Sequence, residues 1–478
     1  MSKHRMISDS PENSWWHAPT VPANYRLTSR ISLPGSKSLT ARWMILAATG
    51  SEPVELYGAL KSQDTFVMAE ALTTLGAQVK WNAHSCIIYP LPRTESGHIR
   101  IRGNISIHAH QAGTVMRFIL PLAAMATGKV TIECATNARH RPISGLVRAL
   151  TDLGVTITSP STTGVNFPLT IEAHGPITGG RLTLDSGASS QFLSALLLSA
   201  PLMENGLVID LSPQQLPSAP HVAMTVDVMR QAGHTVVVDN NSWSVLPTKP
   251  NPRPIGDLKT ASAAQPPSAQ RKSVHTGYGQ RIDIEPDLSN AGPFLGAAMV
   301  TGGEITIENW PQNSTQPGRA YLELLRMAGG KLHVQPTAAG SKLICHGPQT
   351  IKPLDVDMGD VGELVPTIAA ICAFAPGRSF LRNIGHLRGH ETDRLEALTA
   401  TLNRVGVSAY TRGDTLVIDA DPRKLHGGDL HSYADHRMAT CGAILGLGIA
   451  GVRVDNIEAT AKTFPQFATM WQTMITNG

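Results

Sequence analysis

The sequence of 478 residues has no C-x-x-C pair, and its five cysteines, Cys86, Cys134, Cys345, Cys372 and Cys441, are odd in number and scattered. That spacing argues against a disulfide framework and against a zinc site, and a reducing compartment is the simplest reading. No apolar run approaches the roughly 18 residues of a membrane helix. Lys and Arg gather into no long run and the formal charge is only +4, so the basic tract that follows a nucleic-acid backbone is missing. Residues 1–24 hold Asp9, Glu12 and two tryptophans without an apolar segment. They read as an N-terminal extension, neither a secretory leader nor an acid-poor transit peptide. The expectation is a soluble, cytoplasmic monomer that uses no metal or cofactor and binds neither nucleic acid nor membrane.

What is present is size and repetition. An apolar content of 42% over this length exceeds what one core supports and predicts two domains. A helical apolar segment, a glycine and a short β-rich run recur as ALTTLGAQVKW at Gly76, ALTDLGVTITS at Gly154, VMRQAGHTVVV at Gly233, LLRMAGGKLHV at Gly329 and TLNRVGVSAYT at Gly406. A terminal TMWQTMITNG ends at Gly478. Each instance reads as a helix stopped by a glycine at positive φ, followed at once by a strand. The stretch Asn251 to Gly279, rich in Pro, Ser, Ala and Lys, lies in the longest interval and reads as an inserted loop near a domain boundary. Three units precede it and three follow.

Cations stand at the predicted helix starts. Lys37, Ser38 and Arg42 follow a Pro-Gly turn in LPGSKSLTARWMILAA; unpaired N–H groups, a positive dipole end and two cations make an anion site. The G-x-x-x-x-G-K-[ST] spacing is missing, so a nucleotide is not the inference. Gly113 and Thr114 open a helix carrying Arg117, and Arg139 and Arg141 lie close to Pro142. Ser189, Ser190 and Gln191 precede an apolar helix, where hydroxyls commonly serve as caps and can donate to phosphate as well. Glu363 opens an apolar helix, and Glu391 stands between His390 and Arg394 in HETDR. An imidazole, carboxylates and a guanidinium so close together suit proton transfer beside an anion. Asp435, His436 and Arg437 in SYADHRMATCGAI, and Lys462 in ATAKTFPQF, complete a set that one or two small, highly charged anions would justify.

In order between Leu33 and Phe467, PGSKS, AGTVMR, RPI, SSQFLSALL, LRNI, HETDRL, DHRMA and AKTFP resemble the 5-enolpyruvylshikimate-3-phosphate synthase family. The resemblance implies an α/β fold, a two-domain inside-out α/β barrel with three βαβαββ repeats in each domain. It divides the chain into a first domain over 36–248, a loop over 249–280, and a second domain over 281–478 with 25–35. It implies transfer of the enolpyruvyl group of phosphoenolpyruvate to the 5-hydroxyl of shikimate 3-phosphate. Lys37, Ser38, Arg42, Ser189, Ser190, Gln191, Ser218, Glu363 and His390 would hold shikimate 3-phosphate. Lys37, Gly113, Arg117, Arg139, Gln191, Arg394, Arg437 and Lys462 would hold phosphoenolpyruvate. Glu391 would move the C3 proton and Glu363 accept the hydroxyl proton, with Lys37 assisting. Three positions depart from the family's usual pattern: His390 replaces Lys, Glu363 replaces Asp, and the spacing near Arg139 leaves Arg139 or Arg141 as the contact. The rivals are a UDP-N-acetylglucosamine enolpyruvyl transferase, which typically has Asn where Ser38 stands, and a non-catalytic anion-binding protein on the same fold.

Overall fold

The computed structural model describes residues 15–22, 25–95, 98–161, 164–212, 216–248, 275–276, 279–338, 340–389 and 391–476. The chain divides into two compact units, one built from 34–287 and 313–317 and the other from 1–33, 288–312 and 318–478. Among the described residues no helix is long and apolar enough to cross a membrane. Twelve α-helices are named here in chain order: α1 Lys37–Thr49, α2 Gln63–Leu75, α3 Gly113–Ala123, α4 Ser144–Asp152, α5 Gln191–Ser199, α6 Ala219–Gln231, α7 Gly292–Thr301, α8 Tyr321–Met327, α9 Val365–Cys372, α10 Arg394–Arg404, α11 His436–Gly448 and α12 Phe467–Thr476.

In the 34–287 unit one pattern is used three times. Ile105–His108 leads through α3 to a parallel strand, Thr127–Glu133, and α4 leads to Thr156–Thr158. Leu169–His174 then fits antiparallel between these last two strands. Gly180–Leu184, α5, Leu207–Leu211, α6, Val236–Asp239 and Ser242–Val245 repeat that βαβαββ order. The remaining repeat has α1, Val54–Tyr57, α2, Gln78–Trp81 and Ser85–Tyr89, and takes its first strand from far along the chain: Gly279–Asp283 pairs in parallel with Val54–Tyr57.

That pairing corrects the expected domain limits. Residues 279–287 belong with the first unit, where Ile282 and Ile284 pack on its core, because the exposed edge of Val54–Tyr57 requires a parallel partner. The inserted stretch therefore falls inside this unit. Residues 249–274 and 277–278 lie outside the described residues.

The other unit follows the same plan. Thr28–Ile31 is the parallel first strand beside Glu304–Ile307, with α7 and α8 and the hairpin Lys331–Thr337 and Gly340–His346. Asp355–Asp357, α9, Gly377–Arg382, α10, Ser408–Arg412 and Thr415–Ala420 form the next repeat. The last has Asp429–Leu430, α11, Arg453–Val454 and α12, and Trp16–His17 pairs antiparallel with Arg453–Val454 in the fourth-strand place. The N-terminal extension is thus partly built into this sheet, and the last repeat has no third strand among the described residues.

The sequence explains which helices go inside. In α3 and α5 every residue from Thr114 to Ala123 and from Phe192 to Ser199 is buried, and α9 is buried throughout. Helices apolar on every side belong in a core. The second helix of each repeat has one apolar face; α4 buries Leu146, Val147, Ala149 and Leu150. Glycines Gly76, Gly154, Gly233, Gly329 and Gly406 all stand at φ between 88° and 122°, the left-handed turn that ends a helix with little steric cost. Gly478 lies outside the described residues.

Candidate active site

In the 34–287 unit the residues expected to bind anions start at α1. Ser36 caps the helix, and the backbone N–H of Lys37 donates to Asp287 Oδ2 at 3.1 Å. Lys37 Nζ lies 3.0 Å from Asp64 Oδ2. Asp64, 4% exposed, sits in the first turn of α2. Arg42 lies one turn into α1 and is 1% exposed. Its guanidinium donates to Thr225 Oγ1 at 2.8 Å, to the Ser38 carbonyl at 3.0 Å and to the His221 carbonyl at 3.0 Å, and it faces the Phe118 ring at 5.3 Å. These partners are neutral, and burial pushes the guanidinium down to about 9, the direction expected when a cation leaves water.

Helix α3 begins with no side-chain cap, so its first N–H groups face outward at the positive dipole end. Arg117 donates to Gln191 Oε1 at 2.9 Å and to the Pro142 carbonyl at 2.9 Å. A Cβ added at Gly113 would lie 2.9 Å from Arg117 Nη1 and 3.5 Å from Arg141 Nη1; the glycine lets both guanidiniums approach the helix start. Arg141 donates to the Gln111 carbonyl at 2.8 Å. Its Nε is buried without a hydrogen-bond partner among the described residues, a costly state that an incoming acceptor would relieve. Ser190 caps α5 by position but makes no side-chain cap bond, and Ser189 Oγ accepts from the Gln191 N–H at 3.3 Å. Ser218 precedes α6 in a left-handed conformation, φ +55°, the kind of backbone strain retained at binding sites.

The other unit carries the carboxylates. Glu391 Oε1 accepts from Lys462 Nζ at 3.2 Å and its Oε2 from Arg394 Nη2 at 3.0 Å. Arg394, 2% exposed, also donates from Nε to Asp435 Oδ2 at 2.8 Å and from Nη2 to Oδ1 at 3.2 Å. Burial alone would lower this guanidinium, but Asp435 and Glu391 outweigh it, with Glu363 in support, and the net direction is upward. Asp435, fully buried, also caps α11 by accepting from the Arg437 N–H at 2.8 Å. Arg437 itself, half-buried, lines a small cavity with Ser289, Asn290, His436 and Thr463. Glu363, 9% exposed, sits on a short 3-10 turn, Gly359–Leu364. Its charge pulls the His386 imidazole upward, against the burial that lowers it overall. Asp393 is occupied as the cap of α10, accepting from the Leu395 and Glu396 N–H groups.

The family described as EPSP synthase (3-phosphoshikimate 1-carboxyvinyltransferase) matches residues 21–264 and 258–471. The chain belongs to the EPSP synthase family. Among curated relatives, a 3-phosphoshikimate 1-carboxyvinyltransferase of Mycobacterium ulcerans is 42% identical over 470 residues, 96% of this chain and 97% of the relative. One of Kocuria rhizophila is 40% identical over 484 aligned positions, 98% of each. Among solved structures, EPSP synthase from Acinetobacter baumannii has a TM-score of 0.73 at 20% identity, covering 95% of this chain and 97% of its own. The enolpyruvyl transferase NikO from Streptomyces tendae has a TM-score of 0.69 at 15% identity, with 96% of each chain covered. These two likenesses establish the enolpyruvyl transferase fold, an inside-out α/β barrel in each unit.

In this member of the EPSP synthase family Arg139 and Arg141 have different surroundings. Arg139 is turned to Glu133, with Nη2 to Oε2 at 2.7 Å and Nε to Oε1 at 3.2 Å, and its side chain is 43% exposed. Arg141 is the one beside Gly113 and Arg117. Lys37, Arg42, Ser38, Gly113, Arg117, Ser189, Ser190, Gln191 and Ser218 belong to one unit, and Glu363, Glu391, Arg394, Arg437 and Lys462 to the other. His390 lies outside the described residues. Sequence reasoning missed Asp64 and Asp287 as partners of Lys37, since a first-turn acid reads as ordinary dipole compensation. Asp435 stood in the quoted motif without a role, and only its 41-residue jump to Arg394 reveals one.

Proposed function

We propose that this chain transfers the enolpyruvyl group of phosphoenolpyruvate to the 5-hydroxyl of shikimate 3-phosphate and releases phosphate, a step of aromatic amino-acid biosynthesis. The observation that carries the reading is the near-complete match to relatives named 3-phosphoshikimate 1-carboxyvinyltransferase. The reaction adds the hydroxyl oxygen to C2 of phosphoenolpyruvate while C3 gains a proton; the resulting ketal then loses phosphate and a C3 proton.

The arrangement around Glu391 supports a proton shuttle at C3. Lys462 and Arg394 stand on the two oxygens of the carboxylate. Phosphoenolpyruvate brings anionic groups that draw on Lys462 and Arg437, leaving Glu391 less compensated and more basic. A proton can then reside on it and pass to C3, and the elimination step returns it. Glu363 accepts the proton of the hydroxyl. Arg117, Arg141 and the open start of α3 take one anion; Lys37, Ser38 and Arg42 with Ser189, Ser190, Gln191 and Ser218 take shikimate 3-phosphate. The protein acts as a cytoplasmic monomer on these small molecules, without metal or cofactor.

Purified protein is expected to release inorganic phosphate when given both substrates and none with either alone. Release with UDP-N-acetylglucosamine in place of shikimate 3-phosphate, and none with the shikimate ester, overturns the reading.

A further inference from the structure

The segment Trp15–Val21 does more than occupy a strand position. Trp16 and His17 pair with Val454 and Arg453, and the Ala18 N–H donates to the Val452 carbonyl at 3.0 Å. Farther along, Thr20 Oγ1 donates to the Gly446 carbonyl at 2.8 Å, and the Val21 N–H to the Leu447 carbonyl at 3.1 Å. Those carbonyls lie in the last turn of α11, where the helix has no partners of its own. Ala18 is buried, and a Cβ added at Gly446 would overlap the Ala18 Cβ; the glycine gives the segment room to lie against the helix.

The same segment reaches the other end of α11. The turn that delivers Asp435 and Arg437 contains two successive left-handed residues, Tyr433 and Ala434, both at φ 54°. Two such conformations without glycine are strained and persist only where the surroundings impose them. Asp455 imposes one side of the turn: its Oδ1 accepts from the Ser432 N–H at 2.8 Å and its Oδ2 lies 2.9 Å from His431 Nδ1. The Ser432 carbonyl in turn accepts from the Asp435 N–H at 2.9 Å. Trp15 touches this assembly directly. Its ring lies 5.6 Å from that of His431, which lies 6.0 Å from that of Tyr433, and the Arg453 guanidinium stands 5.5 Å above Trp15. Arg453 is tied to Asp429 at the opposite edge of the turn at 2.6 Å.

We infer that Trp15–Val21 is a positioning strap: it clamps both ends of α11 and holds the strained Tyr433–Ala434 turn so that Arg437, at the start of α11, is correctly placed for phosphoenolpyruvate. The inference rests on the function proposed above. The strap touches no reacting group and acts through the turn, so its loss should weaken phosphoenolpyruvate more than shikimate 3-phosphate. The core helices packed on α11, namely α7 and α9, lie outside the strap.

Three variants test this: deletion of residues 1–21, Gly446→Ala, which forces Ala18 off the helix, and Trp15→Ala with Trp15→Phe as the conservative control. The deletion is expected to raise KM for phosphoenolpyruvate about tenfold with a smaller change in KM for shikimate 3-phosphate. Trp15→Ala should move in the same direction and Trp15→Phe restore most of the loss. A synthetic peptide spanning residues 10–22 should lower the raised KM of the truncated protein. Equal KM values for the full and truncated proteins overturn the inference, as does an equal rise for both substrates without peptide rescue. If the full chain releases no phosphate, it is the proposed function that fails; Trp15→Ala, at the rim of the segment, keeps the test open if the deletion does not fold.

Discussion

Arg42 and Arg394 are the same residue type, each at most 2% exposed, and their surroundings differ in sign. Arg42 is ringed by a hydroxyl and two carbonyls and its guanidinium is lowered. Arg394 has two carboxylates at hydrogen-bond distance and is raised. The first has no carboxylate at hydrogen-bond distance among the described residues, and it sits among the groups proposed for a phosphorylated ligand. The second already has two carboxylate partners: it holds Glu391 and, through Asp435, the start of α11. Burial of a cation alone does not mark a ligand site; the anions already present decide.

The largest test of that contrast is Arg394→Met. It removes the guanidinium from the wholly buried Asp435 and from Glu391, so unfolding free energy should fall by about 3–5 kcal/mol in a urea titration, as for other broken buried pairs. A loss under 1 kcal/mol would break the comparison. Arg42→Met comes next. Thr225 keeps its hydroxyl contacts to Ser194 Oγ and the His221 carbonyl, each at 3.0 Å, so no buried carboxylate is stranded and stability should change by roughly 1 kcal/mol or less. Shikimate 3-phosphate should nonetheless raise the melting temperature of the wild type far more than that of Arg42→Met; equal shifts would mean that Arg42 is structural.

The smallest effect concerns His386, which feels both Glu363 and Arg394. Burial holds its imidazole below the ordinary 6.5, so the unfolded chain binds the proton first on acidification. Its contribution is complete above about pH 6.5 and is lost as pH falls below that value. Denaturant midpoints at pH 7.5 and 5.5 should draw closer in His386→Asn; an unchanged gap removes His386 from the account.

Much of this was legible in advance. Five helix-ending glycines announced the repeats because positive φ is a local demand that one residue type meets cheaply. The helix starts at Lys37 and Gly113 with cations beside them were legible from local sequence in the same way. Strand exchange was not: nothing local tells Gly279–Asp283 that its partner is Val54–Tyr57, since any β-rich run pairs with any open edge. Arg139 and Arg141 differ by two residues in an irregular turn, and only the position of Glu133 separates them. The Arg394–Asp435 pair was hidden by the same distance along the chain.

The borrowed strands impose an order on biosynthesis. Thr28–Ile31 leaves the ribosome early but finds its parallel neighbour only when Glu304–Ile307 follows, and Val54–Tyr57 waits for Gly279–Asp283. Trp16–His17 waits longest, for Arg453–Val454. An emerging chain must therefore carry open sheet edges through most of translation, exposed to wrong pairing, and neither unit can close before the other has begun to be made.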